Sequence, residues 1–277
     1  MNPTSSLEYL EYAPAGPLAA RVRCLWALRA PVDPAAAFEP VFPDGCPEVV
    51  LNLAAPFERA QAGEVEQQAR ALLVGQLLEP IRLRPTGRTD IVGIRFQPWG
   101  LRGNFGAAPV ELAGRTGSAA LIHPALADTI PARLAAIPNL EQRCEALERF
   151  LLELGLGREA PGAPRAVAAL AAGTIRSVTR AAGLAGISCR QVERQCAAWV
   201  GLGPHDLIRL ARFQRALAGL RHHPGRTLTW VAHASGFADQ AHFSRDFTRF
   251  AGLTPSAFRR SMGDLTVAFI PGADEGA

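Results

Sequence analysis

The chain has 277 residues, long enough for two domains that each bury a core, and its 48% hydrophobic content is that of a folded chain. No apolar run approaches the ~20 residues needed to span a bilayer. Residues 1–18 carry Glu8 and Glu11 without a basic start, so the sequence predicts a cytoplasmic protein with no signal peptide.

Five cysteines (Cys24, Cys46, Cys144, Cys189, Cys196) form no CxxC pair and read as reduced thiols, not as a disulfide framework or a zinc site. All 29 basic residues are Arg. A GC-rich genome accounts for that composition, although Arg also offers a planar fork that suits phosphate and guanine. Charge is unevenly spread. Residues 165–262 hold 14 Arg against Glu193, Asp206, Asp239 and Asp246, a net +10, and the remainder is net −6. A basic C-terminal part on an acidic N-terminal part suggests that only the former meets a polyanion.

The first ~122 residues read as β-rich, because short apolar, β-branched runs lie between Pro/Gly turns. These runs are 22–28, 49–53, 71–74, 81–83 and 91–96, and Pro85-Thr86-Gly87-Arg88 reads as a hairpin turn between the last two. Their spacing predicts a barrel or sandwich. From about residue 124 the period becomes helical. Leu140, Cys144, Leu147, Leu151 and Leu154 form an apolar seam with Glu141, Arg143, Glu145, Glu148 and Arg149 off it. Two readings stay open: a helix lying on the β-domain, or an antiparallel helix pair in a homodimer. Gly155, Gly157, Pro161, Gly162 and Pro164 then break any helix, so 155–164 is the expected linker. The expected domains are 1–154, 165–262 and a tail at 263–277, in an α+β chain.

The C-terminal domain repeats internally. VTRAAGLAGI at 178–187 aligns with LTWVAHASGF at 228–237, and the segment from Val192 to Leu207 aligns with the one from Phe243 to Phe258. Each copy reads as a helix, a tight turn and a second helix. Gly186 and Gly236 would end the first helices, and Ser188 and Asp239 would cap the second. Val192, Cys196 and Trp199, like Phe243, Phe247 and Phe250, would face inward. That leaves Arg190, Gln191, Glu193 and Arg194 outward in the first copy, and Gln240, Ala241, His242, Ser244 and Arg245 in the second. Arg can read guanine and Gln adenine from a helix in the major groove. A connecting helix from Pro204 to Leu220 would bury Leu207, Leu210, Phe213, Leu217 and Leu220. It would hold the two recognition helices for successive grooves ~34 Å apart.

The region from Ala166 to Ser261 resembles the DNA-binding domain of AraC/XylS-type transcription regulators. The first copy carries Ile187-Ser188-x-Arg190-x-Val192-x-Arg194-x-Cys196-x4-Gly201-x2-Pro204. The second carries Gly236-Phe237-x2-Gln240-x-His242-Phe243-Ser244-Arg245-x-Phe247-x4-Gly252-x2-Pro255-x2-Phe258-Arg259. The resemblance implies two helix-turn-helix units binding double-stranded promoter DNA, as activator or repressor. By position it assigns base contact to Arg190, Glu193, Arg194, Gln240, Ala241 and Arg245, with Gln191 and His242 as included neighbours. Val192 and Cys196 stand where the family usually has Leu and Phe, and Cys189 where Pro is frequent. The second copy should therefore be the stabler half, and the first should supply more of the guanine contacts.

The stretches from Glu39 to Leu53 and from Leu83 to Gly100 resemble, less specifically, the β-rich sensory domain of such regulators. That implies a cupin-like barrel with a small-molecule effector and dimerisation through the following helices. A domain that only dimerises or binds a protein partner, such as RNA polymerase, is the alternative.

An enzyme is a weaker reading. No GxSxG, P-loop or GxGxxG is present. The first histidine is His123, beyond the strands, and Glu39, Asp44 and Glu48 alone make a poor transition-metal set. Cys46 would be a buried thiol rather than a nucleophile or redox sensor. No catalytic residue, metal or cofactor is expected.

Overall fold

The computed structural model describes residues 7–61, 63–102, 109–156 and 162–260. Residues 157–161 of the expected linker, residues 261–262 and the expected tail at 263–277 lie outside the described residues. The N-terminal part is β-rich. In order it runs through β1 (Glu8–Tyr12), β2 (Val22–Ala30), β3 (Glu39–Val41), β4 (Glu48–Asn52), β5 (Phe57–Gln61), β6 (Glu64–Gln67), β7 (Ala71–Val74), β8 (Ile81–Pro85) and β9 (Thr89–Phe96). Then come α1 (Pro109–Leu112), β10 (Thr116–Ser118), α2 (Pro124–Asp128), α3 (Ile130–Ala135) and α4 (Leu140–Glu153). The C-terminal part is helical: α5 (Arg165–Ala171), α6 (Val178–Ala185), α7 (Cys189–Val200), α8 (Pro204–His222), α9 (Leu228–Ser235), α10 (Gln240–Ala251) and α11 (Pro255–Arg260). The class is α+β. No helix among the described residues is long and apolar enough to cross a membrane.

The strands form two sheets, a larger one in the order β1-β2-β9-β4-β7-β10 and a smaller one in the order β3-β8-β5-β6. The hairpin expected at Pro85–Arg88 is not formed: β8 and β9 lie in different sheets. β9 is buried along its whole length and pairs with β2 and β4, so its position is central. β8 is only partly buried and belongs to the smaller sheet. The intervening turn is a corner, where the Thr86 hydroxyl donates to Pro56 O at 2.6 Å. β5 and β6 were not predicted, because FERAQ and EVEQ carry too few apolar residues to announce a strand.

The chain divides into two compact units. One comprises Met1–Phe38, Cys46–Gln76 and Leu83–Gly162; the other comprises Glu39–Gly45, Leu77–Arg82 and Ala163–Ala277. In the first unit one face of the larger sheet (Leu25, Ala27, Val49, Leu51, Val92, Ile94) shares a core with Leu126, Ile130, Cys144, Leu147 and Leu151. Cys144, Leu147 and Leu151 of the α4 seam are therefore buried within their own unit, and the half-buried Leu140 and Leu154 pack against the same core, as expected of a helix lying on the β-domain.

An ion pair fixes α4 in place. Arg143, 1% exposed, donates from Nη1 to Asp90 on β9. Its Nε and Nη2 reach Ile137 O at 3.0 and 2.7 Å. Arg29 and Arg88 also face Asp90, each at 3.8 Å. Removing one partner of a buried pair leaves a desolvated charge, which typically costs about 3–5 kcal/mol. Because Arg29 and Arg88 still neutralise Asp90, Arg143→Ala should lower the unfolding free energy of this unit by about 3 kcal/mol, the low end of that range. Urea unfolding of the full chain measures this, and an unchanged midpoint would contradict it.

The second unit has an aromatic core of Phe213, Phe237, Phe243, Phe247, Phe250 and Phe258, and Phe42 also lies in it. Phe42 packs edge-on against Phe213 and Phe258 at 6.3 and 5.4 Å between centroids. The Gln214 side chain donates to Pro43 O beside it. Nothing in the local sequence of residues 39–45 marks them as part of a helical core.

Candidate nucleic-acid interface

Each copy of the repeat folds as an eight-residue helix, a turn and a twelve-residue helix. Ser177 and Thr227, aligned in the repeat, cap α6 and α9 by accepting from Arg180 N and Trp230 N. Gly186 and Gly236 end these helices with φ of 65° and 87°. A side chain is disfavoured in this left-handed conformation, so glycine lets the chain reverse within a few residues. Ser188 then caps α7 in a reciprocal box with Gln191, and Asp239 caps α10 by accepting from His242 N at 2.7 Å. That bond holds the Asp239 carboxyl below the usual carboxylate range. The turn of the second copy is one residue longer, as the repeat offset requires.

The caps set which side chains face out. On α7, Val192, Cys196 and Val200 are buried, whereas Arg190, Gln191, Glu193 and Arg194 are exposed. Trp199, expected to face inward, is only half-buried; Val200 takes the inward position one residue on. Burial pushes the Cys196 thiol up to about 11, so it stays protonated and apolar in character. On α10, Phe243, Phe247 and Phe250 are buried, and Gln240, Ala241 and Arg245 are exposed.

Three of the predicted residues are already engaged. The Gln191 side-chain oxygen accepts from Ser188 N at 2.8 Å, leaving its amide N–H group outward. The Gln240 oxygen accepts from the Thr229 hydroxyl at 2.8 Å, which orients its amide. His242 lies 3.3 Å from Asp246 on its own helix and edge-on to Phe237. Thr229 was not predicted to support the face, since only the fold brings α9 and α10 together. Arg190, Glu193, Arg194, Ala241 and Arg245 project from the two helices.

α8 packs against both copies. Its Leu207, Leu210, Phe213, Leu217 and Leu220 are buried, as predicted, and the helix has 19 residues, ~28 Å at 1.5 Å per residue.

Residues 181–261 match the family model of a helix-turn-helix domain. The chain carries an AraC-type helix-turn-helix domain. Residues 10–118 match a domain of unknown function (DUF6597). The HTH-type transcriptional regulator GlxA of Rhizobium meliloti (strain 1021) is 32% identical over 130 residues, 46% of this chain. The match spans 38% of that relative's length. Among solved structures, an apo variant of ToxT from Vibrio cholerae aligns with a TM-score of 0.46 and 12% identity, covering 95% of this chain and 99% of that one. The C-terminal domain of AraT, a response regulator from Geobacillus stearothermophilus, aligns with a TM-score of 0.33 and 19% identity, covering 39% of this chain and 92% of that one. In the AraC-type domain of this chain the two glycine turns, the predicted Ser188 and Asp239 caps and α8 are all present.

Proposed function

We propose that the chain is a cytoplasmic, sequence-specific DNA-binding transcription regulator that reads promoter DNA with α7 and α10. The observation that carries this is the duplicated, capped helix whose exposed face holds Arg190 and Arg194 in one copy and Gln240 and Arg245 in the other. Arginine fits guanine through O6 and N7, and the Gln240 amide suits adenine. Glu193 can accept from cytosine, and Ala241 can meet a thymine methyl. Two reading helices in one chain supply two groove contacts without a second copy. A duplex selected from a random pool by the full chain gives the test. Arg194→Ala and Arg245→Ala should each lose about 1–3 kcal/mol of discrimination against base-pair changes in that duplex. Full discrimination in both variants would remove these residues from the reading set.

The finer reading is control by a small organic effector held by the N-terminal unit. It is supported by the second face of the larger sheet, opposite the core shared with α4. There Arg95, itself buried, pairs with Glu48 at 2.5 Å and Glu11 at 3.1 Å. Trp26 lies against Gly93 so closely that a Cβ there would come within 2.0 Å of the indole. Tyr9 packs on Trp26 with ring centroids 6.4 Å apart. Polar groups converging beside aromatic rings are the usual furniture of a ligand site, and two carboxylates around one guanidinium favour a ligand that donates hydrogen bonds. A thermal-shift screen of small amines and polyols against the full chain should find a compound that raises the unfolding midpoint, with the effect lost in Glu11→Ala. No active compound, or a shift that survives Glu11→Ala, would remove this site.

A further inference from the structure

Three guanidinium groups converge on the turn that leads into α10. Arg176 comes from the loop between α5 and α6 and lies over Gly236, so that a Cβ on that glycine would meet its Nη1 at 2.5 Å. Arg215 on α8 donates from Nε to Ser235 O at 3.3 Å and from Nη1 to Gly173 O at 3.2 Å. Arg212, one helical turn earlier, has its guanidinium carbon 5.9 Å from the centre of the Phe237 ring. No carboxylate among the described residues is within ion-pair distance of any of the three. The acids of this region are placed elsewhere. Asp239 caps α10, Asp246 faces His242, Asp206 lies in the first turn of α8, and Glu193 is exposed on α7.

Like charges gathered without a counter-ion repel one another. The repulsion registers on Arg215, whose pKa is lowered by burial and then by the fields of Arg176 and Arg212. Two donors, Nη2 of Arg215 and Nε of Arg212, are buried without a hydrogen-bond partner among the described residues. Uncompensated positive charge is relieved by an anion, and the exposed Arg176 guanidinium is the group open to one.

We propose that Arg176, Arg212 and Arg215 form a seat for a phosphate of the DNA backbone beside the turn between α9 and α10. The seat is built from the α5–α6 loop and α8, against the turn of the second copy. It would fix the register of the duplex at the entry to α10 while carrying no sequence information. This rests on the reading of the chain as a DNA-binding regulator, and the test separates the two.

The salt dependence of binding is measured for the full chain on the selected duplex and on a scrambled duplex of equal length. Each phosphate contact contributes about 0.9 to the slope of log affinity against log salt. Arg176→Gln should reduce the slope by about 0.9 and weaken both duplexes by the same factor, so that discrimination between them is unchanged. Arg176→Lys should keep the slope. Arg176 is exposed, and without duplex the unfolding midpoint of Arg176→Gln should equal or exceed the parent's, because repulsion is relieved. A marked fall in that midpoint would make Arg176 a structural residue and overturn the seat. If the parent binds both duplexes and Arg176→Gln leaves slope and affinity unaltered, the seat is wrong and the regulator reading stands. If the parent binds neither duplex, both fall. Should inorganic phosphate raise the parent's unfolding midpoint while the DNA slope is indifferent to Arg176→Gln, the seat takes a free anion and the DNA assignment is overturned.

Discussion

The apolar stripe of α8 is the constraint on which the C-terminal unit depends. A single helix contributes Leu207 near the first copy of the repeat and Phe213, Leu217 and Leu220 to the aromatic core of the second. Burying one continuous stripe against both copies leaves little freedom for either to swing independently, because packed interiors resist small displacements. The spacing of α7 and α10 is thereby a property of the core. For the proposed reading of DNA, a flexible tether would leave α7 and α10 to find successive grooves separately, at a cost in conformational entropy.

On that frame the outward side chains are partly pre-arranged. Thr229 orients the Gln240 amide, the cap orients Gln191, and Asp246 tethers His242. Groups held before binding lose less rotamer freedom on contact. The arginines at 190, 194 and 245 are left to adapt. The two copies differ beneath this surface. The second rests on six clustered phenylalanines and Phe42, and the first on smaller residues such as Val192, Cys196 and Val200.

The C-terminal domain was legible in the sequence because its information is local. Glycine stops, Ser188 and Asp239 caps, and apolar spacings of three and four each act within a few residues, and the internal repeat states them twice. The α4 seam was equally visible, but whether its partner was the same chain or a copy was not, since an apolar stripe does not name what covers it. Strands 22–30 and 89–96 announced themselves by continuous apolar runs, whereas β5 and β6 are polar and depend on their sheet neighbours. The corner at Pro85–Arg88, the place of Phe42 among the phenylalanines and the convergence of Arg176, Arg212 and Arg215 all arise from contacts between distant parts of the chain. No local pattern encodes them.

The proposed function requires α8 to hold α7 and α10 at a spacing that lets both enter one face of a duplex. Hydroxyl-radical footprinting of the full chain on its selected duplex addresses this directly. Two protected stretches on the same face, ~10–10.5 base pairs apart, are predicted. A single protected stretch, or two on opposite faces, would contradict it.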